Sequence, residues 1–170
     1  MQKMLNPKTT IWVIPESGIV NPKAPTVTEI NAGKNVSCAV VRGYTLNPTD
    51  SDTDDSASIC DSGNVENRLY DNYEGEFTFF RDADVDDAES VYNEARDLFE
   101  QPDQRVWIVR RLGKGNTEAA AVGDKVELYL FSNDHMRSVD GGDNGPIQFT
   151  VPLLQQGNYS GYVEVVAATP

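Results

Sequence analysis

Glu74-Gly75-Glu76-Phe77-Thr78-Phe79-Phe80-Arg81 sets Phe77 and Phe79 on one side and Glu76 and Thr78 on the other. Strict alternation of this kind marks a strand with one buried face. Working outward from it, the period of two recurs. Val126, Leu128 and Leu130 alternate with Glu127, Tyr129 and Phe131. Residues 105–111 enclose Val106-Trp107-Ile108-Val109, a strand buried on both sides at its centre. Val36, Cys38, Val40, Tyr44 and Leu46 fall into one alternating set, which predicts a long early strand with Arg42-Gly43 as a bulge. Residues 147–154 and 159–167 complete the series, with Gln155-Gln156-Gly157-Asn158 between them as a hairpin turn. Pro152 puts the first of these two at a sheet edge or on a bulge.

One segment departs from this rhythm. Over residues 86–100, Ala88, Val91, Tyr92, Ala95, Leu98 and Phe99 trace a helical stripe. Asp86 with Glu89 supplies a capping pair, and Pro102 stops the helix. A single amphipathic helix among strands has to bury its stripe against a sheet. The expected fold is therefore mainly β with one flanking α-helix, as a β-sandwich or a barrel-like pair of sheets.

With 170 residues the chain is one domain in size and can bury a real core. Its net charge of −13 is local. Residues 50–103 hold 18 acidic and three basic side chains, whereas the remainder is close to neutral. Tight sequence-independent binding of nucleic acid needs an excess of Lys and Arg, and this chain has the opposite. Arg105, Arg110, Arg111 and Lys114 crowd together, which reads as charge protecting a strand edge. No apolar run reaches the roughly 18 residues of a membrane span, and the opening residues lack a secretory stretch, so neither a membrane association nor export is expected.

The chemical motifs are weak. Asp50, Asp52, Asp54 and Asp61 fall at positions one, three, five and twelve of a calcium loop. However, Asp55 stands where that loop needs glycine, Asp61 is shorter than the usual bidentate Glu, and no helix precedes them. The segment reads better as a solvated acidic loop. Cys38 and Cys60 form no metal or disulfide pattern and are expected as reduced thiols, at least one packed on a strand. His135 lies in a polar loop, Gly141-Gly142-Asp143-Asn144-Gly145 reads as a turn without a P-loop lysine, and no serine is framed as a nucleophile. Neither a cofactor nor an enzymatic activity is expected.

Two stretches are neither helix nor regular strand in this reading. Residues 47–73 form a loop far longer than the usual connection, yet hold Ile59, Val65, Leu69, Tyr70 and Tyr73. Residues 1–35, with Trp12, Pro15, Pro22 and Pro25, suggest an arm preceding a domain over 36–170. Both would make sense as segments that fold onto another molecule.

The order of segments over residues 36–168 resembles the major tail tube protein family of long-tailed bacteriophages, most closely those infecting actinobacteria. The resemblance is carried by Tyr44-Thr45-Leu46, Ile59-Cys60-Asp61-Ser62-Gly63-Asn64, Asn72-Tyr73-Glu74-Gly75, Val109-Arg110-Arg111, Gly123-Asp124-Lys125-Val126 and residues 150–157 in that sequence. It implies a virion protein assembled in the host cytoplasm into six-membered rings that stack into a tube. The tube would enclose a tape-measure protein, meet tail terminator and distal tail proteins at its ends, and pass genomic double-stranded DNA without binding it specifically. Trp12, Asp50, Ile59, Val65, Leu69, Tyr70 and Tyr73 are then the candidate subunit-interface residues. Glu74, Glu76, Thr78 and Glu127 are the candidates for an acidic lumen, since an acidic wall repels DNA. Another virion β-protein, such as a tail terminator or capsid decoration protein, and a calcium-binding β-sandwich are the competing readings.

Overall fold

The computed structural model describes residues 8–55, 57–60, 62–63, 65–139 and 145–168. The strands are β1 (Thr9–Pro15), β2 (Lys34–Asn35), β3 (Thr45–Pro48), β4 (Asp52–Asp54), β5 (Asn67–Tyr70), β6 (Tyr73–Phe80), β7 (Arg105–Leu112), β8 (Lys125–Asn133), β9 (Arg137–Val139) and β10 (Gln148–Glu164). Among the described residues two α-helices, α1 (Val27–Asn31) and α2 (Val91–Phe99), and a short 3-10 turn (Glu16–Gly18) accompany them. One large antiparallel sheet follows the order β2-β1-β7-β8-β10-β6-β3, with β9 beside β10, and β4 and β5 form a separate ribbon. The mainly β class expected from the alternation is what the chain adopts.

Both faces of the large sheet are buried over β1, β7 and β8, which is why these strands carry apolar residues at nearly every position. On one face Ile11, Ile108, Tyr129, Phe131, Phe77 and Phe79 pack under Ala95 and Phe99 of α2 and under Val36, Ala39 and Leu46. On the other, Trp12, Ile14, Trp107, Val109, Leu128 and Leu130 pack under Ile30 of α1, Ile19, Ala120 and Val165. Gly75 is required where it stands: a Cβ there would meet the Phe131 ring at 2.7 Å. The α1 start is fixed by a capping box in which Thr26 accepts from the Glu29 backbone and the Glu29 carboxylate accepts from the Thr26 backbone at 2.7 Å.

Several local expectations are overturned. Residues 9–35 do not stand apart as an arm, because β1 lies between β2 and β7 and pairs with β7 along its whole length. Its run Thr10-Ile11-Trp12-Val13-Ile14 is buried throughout, so the sheet interior claims it. The long strand predicted from Val36 to Leu46 is instead a turn that follows β2, an isolated bridge at Val40, and then the start of β3. Cys38 falls in that turn and is exposed, as is Cys60. Helix α2 is shorter than 86–100. Its cap is Ser90, whose hydroxyl accepts from the Tyr92 and Asn93 backbone and donates to Asp82, while the preceding aspartates cap turns of their own. Val91, Tyr92, Ala95, Leu98 and Phe99 form the buried stripe as the periodicity required.

The expected hairpin at 155–158 is absent. β10 runs continuously through it, with its ladder to β8 shifted between Gln155 and Tyr159. A bulge turns the chain less than a hairpin does, and Gly157 at φ 71° supplies it. Pro152 sits inside the sheet, not at an edge, at the break between the β8 and β9 ladders. Likewise β7 is an interior strand, so the Arg105–Lys114 cluster does not guard an edge.

Candidate functional site

The strands sort the candidate residues into three places: an open sheet face, a projecting ribbon and the interior. On β6, Glu74, Glu76 and Thr78 point away from Tyr73, Phe77 and Phe79. Across the ladder Glu76 pairs with Pro152 and Thr45, Glu74 with Asn47, and Thr78 with Thr150. The Thr78 and Thr150 hydroxyls lie 2.9 Å apart in a hydrogen bond. This part of the second sheet face is not capped by α1 or Val165, and Glu74 and Glu76 are exposed on it. The result is a polar surface of carboxylates and threonines on rigid strands.

Glu127 does not belong to that surface. Its parity places it with Tyr129 and Phe131 on the opposite face, 5% exposed, where its carboxylate meets Arg110 Nε at 2.5 Å. The apolar neighbours that made it look outward-facing are themselves buried, because β8 is covered on both sides. Arg110 also donates to the Tyr129 hydroxyl and lies over the Tyr129 ring. Burial pushes the Tyr129 phenol well above its ordinary pKa.

The expected interface residues divide as sharply. Trp12 and Tyr73 are interior, 3% and 4% exposed, and offer nothing to a neighbour. Tyr73 is a keystone of the bulge: its hydroxyl donates to the Leu130 carbonyl at 2.6 Å and accepts from the Gln156 and Asn158 backbone at 3.0 Å each. Both N–H groups lie within residues 156–158, which the shifted register leaves out of the ladder to β8. Asp50, Ile59, Val65, Leu69 and Tyr70, by contrast, are exposed in or beside the β4–β5 ribbon, with Ile59 wholly so. β4 is extended, so Asp50, Asp52 and Asp54 do not wrap around a common centre as a calcium loop would. Asp52 instead accepts from Asn72 Nδ2 at 3.1 Å. Asp61, like residues 141–144 of the glycine-rich turn, lies outside the described residues.

Sequence reasoning missed a buried polar cage. Arg111 is 1% exposed. Its guanidinium donates to Asp124 Oδ2, to the carbonyls of Gly115, Glu118 and Ala119, and to Thr10 Oγ1, and lies 5.0 Å over the Trp12 ring. Lys114 holds the other Asp124 oxygen at 2.5 Å. Burial alone would push the Asp124 carboxyl up, but Lys114, the Ala121 N–H and Arg111 together hold it below its usual value. This cage pins the 113–124 connection onto β1 and β7. Asn133 does the same for α2: its amide donates to the Phe99 and Gln101 carbonyls and accepts from the Gln104 N–H. An alternation signal cannot reveal either, since burial of Arg111 depends on how the irregular 113–124 connection folds back over it, and burial of Asn133 on the distant segment 99–104.

The model of the family described as phage tail tube protein matches residues 1–168. A cryo-EM structure of the anti-feeding prophage baseplate, six-fold symmetrised, superposes with a TM-score of 0.49 at 14% identity, over 95% of this chain and 97% of that one. No curated protein sequence matches.

Proposed function

Because this chain belongs to the phage tail tube protein family and is thus a structural tail component of a virion, we propose that it forms six-membered rings stacked into a hollow tube that conducts double-stranded DNA. The observation that carries this reading is the uncapped sheet face holding Glu74 and Glu76. A wall rich in Lys and Arg would retain DNA through counterion release, whereas fixed carboxylates repel phosphates and let the duplex slide. Screening over about 8 Å at physiological salt leaves only groups lining the bore in contact with the duplex field. Glu74, Glu76 and Thr78 are therefore assigned to the lumen, and Glu127 is not.

The β4–β5 ribbon supplies the subunit contact in this reading. Ile59, Val65, Leu69 and Tyr70 expose apolar surface that a single copy leaves uncovered. Ring closure would cover it and remove the free strand edges as well. Before DNA passes, the bore would hold a tape-measure protein, and terminator and distal tail proteins would close the ends. Electron microscopy of the purified protein tests the reading. Hollow filaments with six-fold rings are expected, and a protein that stays monomeric at every concentration refutes it.

A further inference from the structure

Residues 36–44 cross from β1 to β6 over the core that α2 covers. The Val36 N–H donates to the Ile11 carbonyl at 3.0 Å, and the Val41 N–H to the Thr78 carbonyl at 2.7 Å. Beneath the crossing lies a mainly polar cavity of about 170 Å³, shared by Thr9, Ile11, Ser37, Val40, Arg42 and Asn116. Tyr44 closes one side, its ring held 5.5 Å from that of Phe77. The geometry points to this cavity as a binding site for a polyhydroxy acid, concretely one uronate unit with its carboxylate on Arg42.

Arg42 carries the acid half of the argument. The chain has 27 acidic residues for 14 basic ones, and nine basic side chains sit in ion pairs. Arg42 lines a cavity, yet its guanidinium has neither an ion pair nor a hydrogen bond among the described residues. Lys8, next to the cavity-lining Thr9, also lacks a carboxylate partner among them. In so acidic a chain, a cavity arginine that no carboxylate of its own fold has claimed is open to an external one. A guanidinium grips such a group through two parallel N–H donors.

The rest of the lining sets the hydroxyl half. The Thr9 hydroxyl has no partner among the described residues. The Asn116 amide donates to Cys38 Sγ at 3.4 Å, which occupies one of its two N–H groups. Water competes well in a polar cavity, so a bare aliphatic acid gains little there, whereas ligand hydroxyls meet Thr9 and Asn116. Ile11, Val40 and the Tyr44 ring offer apolar surface to the C–H groups of a sugar ring. A void of ~150 Å³ admits a benzene-sized group, so this one takes the carboxylate end of a pyranose and leaves its far side at the opening. A free sugar acid and a uronate within a polysaccharide share this chemistry. The cavity adjoins the core face of β6 that holds Phe77 and Phe79, opposite Glu74 and Glu76, and the site is complete in one copy.

Titration of the purified, unassembled chain with glucuronate, followed by calorimetry, tests the site. Saturable binding is expected with a Kd of about 1 mM, the scale for a ligand of this size. Glucose, acetate and inorganic phosphate should each bind about tenfold or more weakly than glucuronate. Arg42→Gln, at an unchanged melting temperature, should weaken glucuronate by about tenfold or more, and Thr9→Val by a smaller factor. A uronate trisaccharide that binds as tightly as the monomer assigns the site to a polysaccharide unit; one that is excluded assigns it to the free sugar acid. No saturable binding of glucuronate overturns the proposal, as does an Arg42→Gln chain that binds like the parent. Phosphate or acetate binding as tightly as glucuronate reduces the cavity to a plain anion site and overturns it too. None of these results depends on whether copies form a tube.

Discussion

Replacing Arg111 by Met keeps most of the side chain's volume while removing its charge and every donor. The loss is large because of what stays behind. Asp124 retains only Lys114 and the Ala121 N–H, while the Gly115, Glu118 and Ala119 carbonyls and Thr10 Oγ1 lose a buried donor. Breaking a buried ion pair from one side typically costs about 3–5 kcal/mol. At roughly 2–4 °C per kcal/mol for a chain of this size, the melting temperature should fall by about 6–20 °C. Urea denaturation followed by tryptophan fluorescence is a suitable assay, because the guanidinium lies over the Trp12 ring. The midpoint should drop with the denaturant slope unchanged. A loss below about 1 kcal/mol would refute the cage as a determinant of the fold, since even one orphaned buried acceptor costs that much.

Three further outcomes follow from the same geometry. Tyr73→Phe strips the hydroxyl from the β10 bulge and should cost about 1–3 kcal/mol by denaturation, with hydrogen exchange at Gln156 and Asn158 accelerated most. The folded-state pKa of Asp124 lies below its unfolded value of 3.8, so its contribution is complete above that pH and is lost as the pH falls through the folded value. Acid titration of stability should accordingly be shallower in Asp124→Asn than in the parent below about pH 4. Assembled Glu74→Lys/Glu76→Lys chains should retain double-stranded DNA that parent tubes release. That retention should weaken steeply with added salt, as phosphate contacts do, and a salt-insensitive result would contradict an electrostatic lumen.

Strands with a clear alternation or an unbroken apolar run were the easiest part of this sequence to read. β6, β7 and β8 lie where their alternation or apolar run put them, and the α2 stripe is buried as its spacing demanded. Alternation orders the faces within one strand but does not relate one strand to the next. Glu76 and Glu127 therefore looked equivalent although they lie on opposite sides of the sheet. Proline at 15, 22 and 25 disguised a central strand as an arm, because β1 ends at the first of them. Gln155-Gln156-Gly157-Asn158 has turn composition, yet the buried Tyr73 hydroxyl stabilises a bulge there. The ribbon residues were legible for the reason that makes them candidates: Ile59, Leu69 and Tyr70 are too apolar for a solvated loop.

The central claim is that the carboxylates on β6 face the bore of an assembled tube. A cryo-EM reconstruction of the purified, polymerised protein measures this directly. The account predicts a hollow six-fold wall in which the β3–β6–β10 face turns inward, with Glu74 and Glu76 of every copy projecting into the channel. A filament with these two side chains on its outer surface, or sealed between subunits, would contradict it.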